Sequence, residues 1–229
     1  MGAVPAEVVI ATFFNFHPKL VSDRVPKVWT IASPGQLLDA RIHVADTSLR
    51  RILGDAIASP EMQEAATIAR QAAEACTHEG RPLFAGHASL PWPDEPHLVL
   101  WHAQTLLREY RGDGHIAAMT VEGLDGCEAL VTHAAQGDVP AAVLKSSRQW
   151  PDDEWDAAVE RLRSRSWISP DDITFTDHGR ARRAWVEQRT DELAMRPWET
   201  IGEDACNTLR ALVRPYSKTI VESGELAFR

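Results

Sequence analysis

The chain has 229 residues, a formal net charge of −9 and 44% hydrophobic residues, enough apolar material for one large core or two small ones and too much for disorder. An acidic balance of this size disfavours nucleic acid and anionic membrane as partners, because both call for basic surface, although a local basic stripe is compatible with it. No run approaches the length of a membrane span, and no basic segment followed by a long apolar one stands at the N-terminus, so a soluble cytoplasmic protein is expected.

Ala, Leu, Arg and Glu dominate, and apolar residues recur at helical spacing, so the expected fold is mainly α. A short helix is expected over residues 18–29. Ser33-Pro34 and Ser59-Pro60 each set a capping hydroxyl before a proline at the first helical position, opening helices over roughly 34–54 and 60–77. The first carries Leu37, Leu38, Ile42, Ala45, Leu49 and Ile52 on one face. A connector over 78–97 holds a helical piece near Leu83–Ser89, and Pro91, Pro93 and Pro96 then forbid helix. The next helix is expected from about His97 to Tyr110. Gly112-Asp113-Gly114 ends it, and another starts near His115. After the turn Gly123-Leu124-Asp125-Gly126 a helix runs to Ala135.

From Val139 the pattern changes. A short helix over Pro140–Ser147, a turn at Arg148–Pro151 and a helix over Asp152–Ser164 come first. Two short strands follow, Trp167-Ile168 and Ile173–Thr176, joined by a polar tip at Ser169–Asp172, and then a long helix from Asp177. That is the winged helix-turn-helix order, with a small two-stranded wing. Two domains are expected: an N-terminal helical domain over 1–137 and a winged-helix domain over 138–229.

Residues 173–198, ITFTDHGRARRAWVEQRTDELAMRPW, resemble the wing-to-long-helix segment of MarR-type regulators, with Phe175-Thr176-Asp177-His178-Gly179 at the position of that family's Leu-Thr-x-x-Gly. EWDAAVERLRSRSWI resembles its recognition helix leading into the wing. The whole chain, including LWHAQTLLREYRGDGHIAAM, also resembles a group of actinobacterial proteins described only as a helix-turn-helix family. The resemblance implies a winged-helix fold. With the amphipathic helices Asp177–Leu193 and Glu203–Val221, it also implies a homodimer.

DNA binding is the function that fold suggests, and the charges oppose it. The positions that would reach the major groove are Asp152, Asp153, Asp156 and Glu160. Eight arginines face nine acids between Arg148 and Arg189, with no lysine, and Asp171 and Asp172 take the wing tip. Acids in a first helical turn also favour the helix dipole, which explains their presence without removing the repulsion.

The middle of the chain is the candidate functional segment. Residues 87–115 hold His87, His97, His102 and His115, four of the nine histidines, together with Trp92, Trp101, Arg108, Glu109, Arg111 and Asp113. On a helix His102 and Glu109 share a face two turns apart, and Trp101 and Arg108 share an adjoining one. Asp113 would cap the second helix and His115 would lie near its positive end, keeping the imidazole neutral. His102, Glu109, Asp113 and His115 are the candidate catalytic groups. Trp92, Trp101, Arg108, Arg111 and His87 are the candidate ligand-binding ones. A neutral imidazole, a carboxylate and a guanidinium beside aromatic walls suit acid–base work on a small organic substrate, or the holding of an acidic ligand. The structural alternative makes Asp113 a cap, Trp101 a core residue and the histidines surface groups.

No cofactor is expected. Cys76, Cys127 and Cys206 lack metal or redox spacing, and His102, Glu109 and His115 as a metal site, or one histidine as a haem ligand, have no supporting motif. Nucleotide-binding loops and the nucleophile elbow are also missing. Two functions therefore compete: a small-molecule protein on a repurposed winged-helix scaffold, as an enzyme of specialised metabolism catalysing cyclisation, isomerisation or hydrolysis, and a ligand-responsive transcriptional regulator.

Overall fold

The computed structural model describes residues 2–225. Among them twelve α-helices follow in order: α1 (Ala6–Phe13), α2 (Pro18–Ser22), α3 (Val25–Ile31), α4 (Pro34–Leu53), α5 (Pro60–Glu74), α6 (Pro82–Ala88), α7 (Pro96–Val121), α8 (Gly126–Gln136), α9 (Ala141–Arg148), α10 (Asp152–Ser164), α11 (Asp177–Ala194) and α12 (Arg196–Glu222). The Ser-Pro starts act as the sequence suggests. Ser33 Oγ accepts from Gln36 N while the Gln36 side chain returns to Ser33 N, a reciprocal capping box, and Ser59 Oγ accepts from Met62 N.

Three expectations need correction. The helix expected over 18–29 is two short helices, α2 and α3, with α1 ahead of them. The break at Gly112-Asp113-Gly114 does not exist, because α7 runs unbroken from Pro96 to Val121. Each glycine costs a helix interior about 1 kcal/mol. Burial of Leu106 and Tyr110 before the pair and of Ala118 and Met119 after it outweighs that cost. Asp113 is therefore not a cap, and no helix end lies beside His115. The two-stranded wing is also absent among the described residues. One antiparallel bridge, Ile168 with Phe175, takes its place. Its flanking bonds are Ser169 N to Thr174 O at 2.9 Å and Thr176 N to Trp167 O at 3.0 Å. Pairing goes no further because the chain leaves α10 at Ser164 and enters α11 at Asp177, which leaves few extended residues on either side of the bridge.

The chain forms two compact units, each assembled from separated segments. One is Ser33–Arg111 with the described part of Leu193–Arg229, and the other is Gly2–Ala32 with Gly112–Glu192. The boundary expected at 137/138 falls inside the second unit.

The first unit is built on α5 against α12. Ala65, Ala66, Ala69 and Ala73 leave α5 a nearly flat face, which packs with Met62, Phe84, Leu106, Tyr110 and Leu209 into one core. The Arg81 guanidinium is buried there, 4.1 Å above the Tyr110 ring, and donates to the Tyr110 carbonyl and to Leu193 O. The final helix, expected from Glu203, begins earlier and bends at Gly202, whose φ of 79° and ψ of 167° suit glycine alone.

The second unit centres on Trp155, Leu162, Trp167, Ile168 and Val186, packed with Leu130, Val131 and Met119. Two close approaches fix it. Gly126 lies against the Phe14 backbone, and Gly179 lies against the Trp167 backbone. Thr176 Oγ1 accepts from Gly179 N at 3.0 Å, so the Thr-x-x-Gly stretch is a helix cap followed by a contact residue with no room for a Cβ. Glu122 and Glu128, both buried, are held by Arg182 and Arg161 respectively.

Candidate functional site

Seven of the nine candidate residues, His87, Trp92, Trp101, His102, Arg108, Glu109 and Arg111, belong to the first unit. Asp113 and His115 belong to the second. In the second unit Asp113 is buried, and His115 Nδ1 lies 2.8 Å from Thr190 Oγ1.

In the first unit Trp101 and His102 come from the second turn of α7, and Trp92 comes from the proline-rich approach to it. The Trp92 and His102 rings meet edge to face at 4.8 Å, and Arg70 covers the Trp92 ring at 4.6 Å. Arg41, from α4, lies 4.2 Å above Trp101 and 3.4 Å from Thr105 Oγ1. Arg41, Trp101 and His102 line a cavity of 210 Å³ with Leu38, Ile42 and Pro93, and the exposed Asp39 stands on its wall as well. No carboxylate among the described residues forms an ion pair with Arg41. Glu109 is buried and accepts from Arg108 Nε at 3.1 Å, while Arg108 and Arg111 are exposed.

The electrostatics follow from burial. Removal from water pushes the His102 imidazolium down to about 4, and the neighbouring His87 and Arg41 charges add to the effect. Burial likewise lowers His87, helped by Arg41 and opposed by Glu109, and its Nδ1 is buried without a hydrogen-bond partner. Burial also lowers Arg41, against the pull of Glu109. At neutral pH the Arg41 charge thus acts on two neutral imidazoles, His87 and His102, and is itself favoured by the Glu109 carboxylate. Arg41 is the residue that sequence reasoning missed. It reads as part of the polar face of an amphipathic helix, and nothing local links it to a tryptophan sixty positions later.

Two further features belong to the same unit. An open groove of 940 Å³, walled by Leu100, Leu107, Trp198, Leu209 and Val213 at the Gly202 bend, contains none of the nine candidate residues. Asp46 Oδ1, also bound by Arg50 Nε at 2.8 Å, lies 2.6 Å from His97 Nε2. Among the described residues no group of three or more His, Cys, Asp and Glu side chains gathers as a metal ion would need. No helix is long and apolar enough to cross a membrane.

In the second unit α9 and α10 flank a tight turn in which Gln149 is left-handed (φ 57°). Trp155, Ala158, Val159 and Leu162 are the buried face of α10, so Asp152, Asp153, Glu154, Asp156 and Glu160 are its exposed one. The arginines at its end are engaged. Arg161 donates to Glu128 and Asp125, Arg163 to Glu160 and Ser169 O, and Arg165 to the carbonyls of Glu122 and Gly123.

Neither the curated proteins nor the solved structures contain a match to the chain. A family model described as "Helix-turn-helix family" matches residues 1–227. With α9, its turn and α10 in the order that description requires, the chain belongs to the helix-turn-helix family.

Proposed function

We infer that this family member is a small-molecule-binding protein, with an organic acid bearing an apolar body as its ligand, held in the first unit. The observation that carries the reading is Arg41: a partly desolvated guanidinium on a cavity wall, stacked on Trp101 and without an ion-pair partner among the described residues. Such a cation is costly to keep from water unless an anion visits it. His102 accepts a hydrogen bond from a donor group of the ligand, and Trp101 supplies an aromatic wall. Acid–base turnover of a small substrate of specialised metabolism is the extension of this reading. An anion beside Arg41 would raise both imidazoles toward the range where they exchange protons with a substrate.

In this reading the helix-turn-helix is an inherited scaffold, and the MarR-like order of helix, turn, helix, bridge and long helix, with its dimer, serves to hold the chain together. The competing reading, a ligand-responsive regulator binding DNA, has the family match in its favour. The acidic exposed face of α10 and its engaged arginines oppose it, since phosphate contacts need cations that are free to make them.

Benzoate is a suitable probe. Titration followed by tryptophan indole ¹H–¹⁵N signals should move the Trp101 signal saturably, and Arg41→Gln should weaken binding at least tenfold while leaving the Trp155 signal in place. Equal affinity in Arg41→Gln would overturn the site. Salt-dependent binding of the chain to duplex DNA at physiological ionic strength would favour the regulator instead.

A further inference from the structure

The groove at the Gly202 bend lies wholly within the first unit and shares no lining residue with the Arg41 cavity. Its α7 side is Leu100, Gln104 and Leu107, spaced as successive turns on one helix face. Its α12 side runs from Trp198 to Val213, and the small Ala69 of α5 lines it as well. Gly202 shapes the α12 side. Its φ of 79° and ψ of 167° interrupt the helix in a region open to glycine alone. A Cβ there would meet nothing within 4 Å, so the position needs glycine for the bend and not for want of room. Backbone of this kind inside a long element gathers at ligand clamps and hinges.

The charges of the lining are unbalanced. Glu199 and Glu203, one on each side of the bend, both line the groove and are exposed, and neither forms an ion pair among the described residues. The one cation of the lining, Arg210, donates to Asn207 Oδ1 at 2.9 Å. Two carboxylates against one guanidinium leave the groove with a net negative charge, and the two like charges repel until a counter-ion arrives. The apolar part of the lining includes the buried Leu100 and Leu209 and the half-buried Trp198, whose indole is the aromatic group best suited to a cation. Pockets for drug-sized ligands run from about 300 to 1,000 Å³. At 940 Å³ this groove therefore admits a body of several rings, well beyond a single one.

We propose that the groove is a second binding site, for a hydrophobic organic cation: a fused-ring compound carrying one positive charge. Its rings rest on the leucines and Trp198, and Glu199 and Glu203 supply the opposing charge. The preference is opposite in sign to that of the Arg41 cavity, and the proposal does not depend on that cavity's ligand.

The probe is rhodamine 123, a cation on a three-ring xanthene, and its counterpart is fluorescein, the same ring system with negative charge. Dye anisotropy against the full-length protein should show rhodamine 123 binding saturably and at least tenfold more tightly than fluorescein. The Trp198 indole ¹H–¹⁵N signal should move while that of Trp155 stays in place. Glu199→Gln with Glu203→Gln should weaken rhodamine 123 binding at least tenfold. Asp153→Asn with Asp156→Asn removes the same charge from the exposed face of α10 and should leave the affinity within twofold. The proposal is overturned if the two dyes bind alike, if the groove variant binds as the wild type does, or if the α10 variant loses as much. It is overturned too if rhodamine 123 fails to saturate by about 100 μM or saturates without moving Trp198. A Trp198 signal that shifts on dilution of the protein alone assigns the groove to a second copy of the chain, and likewise overturns it.

Discussion

Replacing Gly179 by alanine tests the packing of the second unit. In a helix interior this change normally stabilises by about 1 kcal/mol, because glycine loses the most backbone freedom on folding. Here a Cβ would lie 2.7 Å from Trp167 C and 2.8 Å from its Cα, and closer still to its carbonyl oxygen. All three atoms are backbone, so no side-chain rotation relieves the clash, and the start of α11 must move away from the turn. That movement costs about 1–3 kcal/mol as overpacking. It also pulls Gly179 N off Thr176 Oγ1, a cap whose loss costs about 1 kcal/mol. Set against the usual gain, the net expectation is a loss of roughly 1–3 kcal/mol. Urea unfolding followed by tryptophan fluorescence measures it, with Gly35→Ala as the control. The nearest heavy atom to a Cβ at Gly35 is Ser33 Oγ at 3.9 Å, so that variant should be stabilised. A Gly179→Ala midpoint at or above that of the wild type would refute the close approach.

Two further outcomes are expected. His102 ionises near 4 in the fold and near 6.5 when unfolded, so the unfolded chain takes up the proton first as pH falls. Its contribution is whole above about pH 6.5 and is lost between there and 4, up to roughly 3 kcal/mol. His102→Gln should flatten the stability profile across that window, and an unchanged slope would show that His102 is not the group responsible. Arg161→Ala should destabilise by about 2 kcal/mol, because it leaves the buried Glu128 carboxylate with the Asp125 N–H and, as its one cation, the more distant Arg165 at 3.8 Å. Adding Glu128→Gln should recover part of that loss, and a coupling below about 0.5 kcal/mol in the double-mutant cycle would count against the pair.

Local signals in the sequence located most helices, because Ser-Pro starts and proline clusters act within a few residues. Asp152–Ser164 is the clearest case, with acids in its first turn and Trp155, Ala158, Val159 and Leu162 at helical spacing. Two failures have a common cause. Gly112 and Gly114 read as a break, and Gly202 went unread as a bend, because packing decides which glycine a helix absorbs. The candidate site was legible where α7 carries it, at Trp101, His102 and Glu109. Arg41 and the Asp46–His97 pair were not, since their partners lie 60 and 51 positions away.

The interleaving of the two units constrains how the chain folds as it is made. Gly2–Ala32 leaves the ribosome early, yet its partners in Gly112–Glu192 are synthesised only after all of Ser33–Arg111. The first unit must in turn wait for α12, the helix that packs most extensively on α5. Each core closes only when its last segment has been made, so its earlier segments stay open to chaperones and proteases until then. A stop codon ahead of α12 therefore leaves the α5 side of the first core exposed, although most of that core has already been made.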